Sequence, residues 1–121
     1  MSNHDAVLKV IHSYFQGIYT GNAAGLREVF HPDAQVTDNV QGTLRVRTAE
    51  EYILAVASRQ SPQARGEQQA MKAMTVEVLD GVASVTARLE MLGQKYFNVL
   101  SLIRQDDRWL VIHKLFGNVE S

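Results

Sequence analysis

Apolar residues return at three- and four-residue intervals through the first twenty positions. Val7, Ile11, Tyr14, Phe15 and Ile18 form one stripe, which predicts an amphipathic helix over about residues 5–19. Asn3 or Asp5 is expected to cap its start. Gly21 followed by Asn22 ends it, because glycine enters the left-handed region without a Cβ clash. A shorter helix is predicted over residues 23–30, with Leu26, Val29 and Phe30 inward and Pro32 stopping it. Residues 34–40 then alternate as a strand with Ala34, Val36, Asp38 and Val40 on one side, Gln41-Gly42 turns, and residues 43–47 return. Thr48-Ala49-Glu50-Glu51 opens a third helix with a hydroxyl cap and first-turn carboxylates. Its apolar side is Tyr52, Ile53, Val56 and Ala57, and it runs to about Arg59.

Gln60 to Gln69 is polar, contains Pro62 and Gly66, and reads as a loop and the segment expected to be mobile. From Ala70 onward the period is two. Met74 to Val78, Val82 to Met91, Tyr96 to Arg104 and Trp109 to Phe116 read as strands joined by tight turns at Asp80-Gly81, Gly93 and Asp106-Asp107. Helices followed by a meander of long antiparallel strands give an α+β architecture, with helices against one face of a curved sheet. The last two strands are apolar on both sides. A second copy of the chain covering the outer face accounts for this, so a homodimer through that face is expected.

The 121 residues fit one domain, 1–121, without internal repeats. A net charge of -1 speaks against a nucleic-acid partner, which a basic face would serve. With no cysteine there is no disulfide, thiolate metal site or cysteine nucleophile. The first residues lack a signal-peptide pattern, and no apolar run approaches the roughly 18 residues of a membrane span, so a cytoplasmic protein without a membrane partner is expected. His4, His12, His31 and His113 form no short ligand pair, and no phosphate loop or nucleophile elbow occurs, so neither metal nor cofactor is expected.

The helix-helix opening, the segment Phe30-His31-Pro32-Asp33-Ala34 and the ending Trp109-Leu110-Val111-Ile112-His113-Lys114-Leu115-Phe116 resemble the nuclear transport factor 2-like superfamily. Arg59-Gln60-Ser61-Pro62, Arg65-Gly66 and Tyr96-Phe97-Asn98-Val99-Leu100-Ser101-Leu102 resemble its small bacterial members called "putative lumazine-binding" or SnoaL-like. The resemblance implies a cystatin-like cone of three helices on a curved, mainly antiparallel sheet enclosing an apolar pocket, commonly in homodimers. This fold hosts many unrelated activities. From Tyr14 to Val40, and again at Lys114-Leu115-Phe116-Gly117, the chain also resembles ketosteroid isomerase. By that resemblance Tyr14 falls on the oxyanion-stabilising tyrosine and Asp38 on the general base. Leu100 falls on a second oxyanion donor and cannot donate, and Lys114 replaces a small apolar residue, which speaks against the steroid reaction.

With the pocket face assigned through the resemblance, Tyr96, Asn98, Leu100 and Leu102 point inward on one strand, and Leu110, Ile112, Lys114 and Phe116 on the next. The opposite assignment exchanges Lys114 for His113. Lys114 stands among apolar neighbours. It is either a ligand anchor or low-pKa amine, or a lysine that reaches the pocket mouth or pairs with Asp33 or Asp38. Asp38 occupies a core-facing position, where desolvation suits a general base; the alternative is a polar turn residue. Tyr14 and Asn98 offer a hydroxyl and an amide, or else serve as core and strand-end residues. Arg59 either guards the entrance or complements a helix C-terminus.

The first functional expectation is a protein that binds a small apolar or carbonyl-containing molecule through Tyr14, Arg59, Asn98, Leu100, Ile112, Lys114 and Phe116. The second is an isomerase, dehydratase or cyclase in which Asp38 takes a proton and Tyr14 or Lys114 stabilises the oxyanion. The third is a structural dimerisation module without a ligand.

Overall fold

A computed structural model describes residues 2–119; residues 1, 120 and 121 of the expected domain lie outside the described range. The elements are α1 (Asn3–Thr20), α2 (Ala23–Val29), β1 (Phe30–Val40), β2 (Thr43–Thr48), α3 (Ala49–Ser58), β3 (Ala70–Leu79), β4 (Val82–Met91), β5 (Gln94–Gln105) and β6 (Arg108–Asn118). Three helices pack on one face of a curled six-stranded sheet of order β2-β1-β6-β5-β4-β3. Every pairing is antiparallel except β1 with β6, which is parallel. This is the expected α+β cone.

Local chemistry sets the element ends. The cap of α1 is Ser2, not Asn3 or Asp5: its side chain accepts from the Asp5 N–H, and the helix starts at Asn3, two residues before the expected start. Gly21 closes the same helix at φ 70. Asn22 caps α2, and the helix gives way to β1 at Phe30. Thr48 and Glu51 form a reciprocal capping box at α3.

The inner face follows the period-two pattern. Ala83, Val85, Ala87, Leu89 and Met91 of β4 are buried, as are Asn98, Leu100 and Leu102 of β5. One correction falls on β6. Leu102 pairs with Val111 but Ser101 with His113, so Ile112 is an extra residue in a bulge. Parity inverts there. Trp109 and Val111 join the core below it, Lys114 and Phe116 turn inward above it, and Leu110 and Ile112 leave the inner row they were expected to occupy.

The loop expected to be mobile is tied down at several points. Its Glu67 carbonyl accepts from the Tyr19 hydroxyl at 2.7 Å, its Glu67 carboxylate accepts from the Leu92 N–H at 2.9 Å, and Pro62 is buried. On the outer sheet face Phe97, Val99 and Ile103 are half-buried and Leu115 is exposed.

Candidate functional site

Two rungs of the sheet bring the polar residues together. One reads Arg45, Asp38, Phe116, Asn98, Ala87 across β2, β1, β6, β5 and β4; the next reads Arg47, Val36, Lys114, Leu100, Val85. Tyr14 and Tyr52 descend on these rungs from α1 and α3. Between the rungs, the end of α3 and the start of β5 lies a cavity of about 170 Å³. Arg45, Arg47, Tyr52, Arg59, Asn98 and Lys114 give its polar wall, and Val40, Met91 and Phe116 its apolar wall.

Lys114 is 2% exposed. Its Nζ donates to the Tyr52 hydroxyl at 2.5 Å and lies 4.9, 4.3 and 4.7 Å from the ring centres of Tyr14, Tyr52 and Phe116. It neither reaches solvent nor pairs with Asp33 or Asp38. Burial pushes its pKa well below the usual lysine value, the positive charges of Arg59 and Arg47 push the same way, and Asp38 opposes them. The ring faces favour the ammonium and offset part of that burial. His113 is on the other side of β6, with Nε2 3.2 Å from the Thr37 hydroxyl.

Tyr14 is fully buried and its hydroxyl donates to Asn98 Oδ1 at 2.5 Å. Burial raises its pKa well above the usual phenol range, the neighbouring Tyr52 adds to this, and Arg59 opposes it. Tyr52 is pushed up to about 12, again chiefly by burial. Both phenols therefore stay protonated near neutral pH. Because Tyr52 accepts from Lys114, its own O–H remains a donor. Tyr14, Phe30, Tyr52, Phe116 and Tyr96 form a continuous row of ring contacts with centroid spacings of 5.9 to 6.2 Å that leads to the cavity.

Asp38 is buried, as the alternation of β1 requires, but it is not a free carboxylate. Its Oδ2 accepts from Arg45 Nε and Arg47 Nη2, both at 3.0 Å. The expected solitary base is an ion-paired anchor that holds two guanidiniums at the cavity wall. Leu100 is fully buried beneath Lys114 and does not line the cavity, nor does Ile112 at the bulge. Arg59 does line it, with Nε and Nη2 shut off from solvent and without a partner among the described residues; Arg47 Nε is in the same condition.

Sequence reasoning did not single out Arg45, Arg47 or Tyr52. A signal for the arginines was present. The two-residue turn at Gln41-Gly42 pairs Asp38 with Arg45 and Val36 with Arg47, so both arginines face the carboxylate. Tyr52 carries no comparable signal, since an apolar helix face does not reveal where its hydroxyl ends.

A wider depression of about 610 Å³ over α1 and α2 is edged by Lys9, Ser13, Glu28 and Arg108, all exposed. It lacks the buried, convergent polar groups of the smaller cavity. Among the described residues no helix is long and apolar enough to cross a membrane.

A family model described as "Putative lumazine-binding" matches residues 2–117. Among solved structures, an NTF-2 like protein of unknown function from Silicibacter pomeroyi DSS-3 superposes with a TM-score of 0.88 at 14% identity, over 98% of this chain and 100% of the other. An NTF2-like protein of unknown function from Shewanella baltica OS155 gives 0.86 at 15% identity, over 97% and 94%. One from Methylobacillus flagellatus KT gives 0.85 at 17%, over 96% and 91%. At these identities the likeness establishes the fold. No curated protein matches the chain.

Proposed function

The chain belongs to the family described as "Putative lumazine-binding", with the nuclear transport factor 2-like fold, and on that premise we propose that it is a small-molecule-binding protein whose ligand occupies the cavity between Tyr52, Arg59 and Lys114. One observation carries the reading: buried donors from β2, α3, β5 and β6 converge on one enclosed space that also has an apolar wall. A few fixed polar groups in an apolar pocket are the usual composition of a ligand site. The volume, about 170 Å³, equals that of roughly six waters at about 30 Å³ each, so the enclosed part of the ligand is small. The row of rings suits a planar or carbonyl-bearing molecule.

The Asp38 general-base reading gains no support from the geometry, since the carboxylate oxygen already serves two arginines. The homodimer stays part of the proposal, supported by the apolar outer row of Phe97, Val99 and Leu115; light scattering should give twice 13.5 kDa. A cytoplasmic setting belongs to the same proposal.

The test is NMR chemical-shift mapping of the full chain against a fragment collection of neutral and charged molecules. Ligand-induced shifts should centre on Tyr52, Asn98 and Lys114, and Ala55→Leu, which fills the cavity from α3, should abolish them. Shifts confined to the α1–α2 depression, or none at all, would overturn the proposal.

A further inference from the structure

We infer that the ligand of this cavity is held through a carboxylate, gripped by the Nε and Nη2 edge of Arg59 with Arg47 Nε beside it. The inference rests on the binding role proposed above and specifies the chemistry of the molecule bound.

The charge balance comes first. Arg45, Arg47, Arg59 and Lys114 line the cavity, and among the described residues no Asp or Glu does. The acid behind the wall, Asp38, spends Oδ2 on Arg45 and Arg47, and Arg59 has no acidic partner among the described residues. Arg45 and Arg47 share Asp38, so the charge without a counter-charge is that of Arg59; a partly enclosed cation in that state is unfavourable, and an anion entering the cavity relieves it.

The shape of the unmatched donors comes second. Buried N–H groups almost always have partners, so each orphan requires an account. Arg59 leaves two orphans on one guanidinium, Nε and Nη2, which lie side by side on the same edge. The protein itself shows what that edge recognises. On the surface, Arg27 uses the same two atoms to clasp Glu50, Nε to Oε1 at 2.9 Å and Nη2 to Oε2 at 2.7 Å. Two parallel N–H bonds to two coplanar oxygens is the carboxylate fork. Arg59 lines the cavity with that fork buried and unmatched, so a modest turn of its side chain would offer the fork to a bound acid.

The remaining wall agrees. Tyr52 keeps a free O–H because its oxygen accepts from Lys114, and Asn98 spends Oδ1 on Tyr14. The polar lining is dominated by donors, so an acceptor-rich group is the complement. The opposite wall of Met91 and Phe116 would cover the rest of the acid.

The test is calorimetric titration of the full chain at low salt with acetate, pyruvate and benzoate, each against its amide, and with inorganic phosphate. At least one acid is expected to bind ten-fold or more tightly than its amide. Arg59→Gln should remove that preference, and Arg59→Lys, which keeps the charge but not the fork, should recover only a minor part of it. Circular dichroism melts establish that the variants fold, and the acid that binds should raise the melting temperature of the parent chain but not of Arg59→Gln. Amides binding as tightly as acids would overturn the carboxylate while leaving the binding role intact. So would phosphate binding where no carboxylate does, or Arg59→Lys matching the parent. If the fragment mapping and the titrations both find nothing, both readings fall.

Discussion

Asp38 faces Arg45 directly across the β1–β2 hairpin, and its Oδ2 also receives Arg47 from the next rung but one on the same strand. The pairing explains how a carboxylate is kept at 2% exposure in the inner face of a sheet. It also explains why Arg47 is held at the cavity wall, while Arg45, at 54% side-chain exposure, remains partly in solvent. Removing the acid from a buried ion pair leaves the cations uncompensated. Asp38→Ala should therefore lose about 3 kcal/mol in urea unfolding. Asp38→Asn keeps an acceptor oxygen and should lose less. If the two variants are equally mild, Asp38 does not anchor the arginines.

Lys114 contributes to stability with a sign that can be worked out. Its folded pKa is held well below 10.5, first by burial and then by Arg59 and Arg47. Between that depressed value and 10.5 the unfolded chain binds the proton and the folded chain does not. Folding stability therefore rises with pH through that window. Lys114→Met should flatten the rise, and its advantage over the parent should be greatest at the acidic end and vanish above 10.5. Denaturation midpoints measured across pH check this; parallel profiles for the two proteins would contradict it.

Tyr52 acts in the opposite direction at higher pH. Its folded pKa is about 12 against 10.0 for a free phenol, mainly through burial. Above pH 10 the unfolded chain releases this proton first, so stability falls between pH 10 and about 12 by roughly 3 kcal/mol from this group. Phenolate absorbance of the native protein should show a late transition that Tyr52→Phe removes.

Tyr14 and Asn98 form a buried pair, so truncating one strands the other. Tyr14→Phe leaves Asn98 Oδ1 without its donor, and the expected loss is about 1–3 kcal/mol. The double variant Tyr14→Phe with Asn98→Leu should recover part of the loss, because an apolar pair strands nothing. Additive losses would rule out that coupling.

Gly117 lies opposite Asn39 in the parallel pair β1 and β6. A Cβ there would stand 2.9 Å from the Asn39 carbonyl oxygen, which is backbone and cannot rotate away. Gly117→Ala should lower stability by about 1–3 kcal/mol. Hydrogen exchange should quicken at the Asn39 end of β1, and unchanged exchange there would count against the clash.

The fold was largely legible because its two periods are distinct. The stripe from Val7 to Ile18 and the alternation from Ala83 to Met91 both reappear as buried faces. The buried position of Asp38 followed from strand parity, and those of Asn98 and Lys114 from parity once the family resemblance had fixed the inner face. What parity does not carry is partnership. It placed Asp38 inward but not against its arginines, although the turn length held that information. It placed Lys114 inward but did not reveal that Tyr52 would meet it from a helix, a contact between residues 62 positions apart. The inner row of β6 failed at Leu110 and Ile112 because a bulge is a property of the pair of strands and leaves no mark in one of them.

That bulge gives the last strand two incompatible jobs. Below Ile112 it supplies Trp109 and Val111 to the apolar core, and above it supplies Lys114 and Phe116 to the cavity. Loss of Ile112 would remove the bulge yet leave both halves on their faces, with Val111 still opposite Leu102, His113 opposite Ser101 and Lys114 opposite Leu100. A strand one residue shorter would carry the same core and the same cavity side chains, so the extra residue adds a local bend to β6 and leaves the chemistry of the pocket untouched.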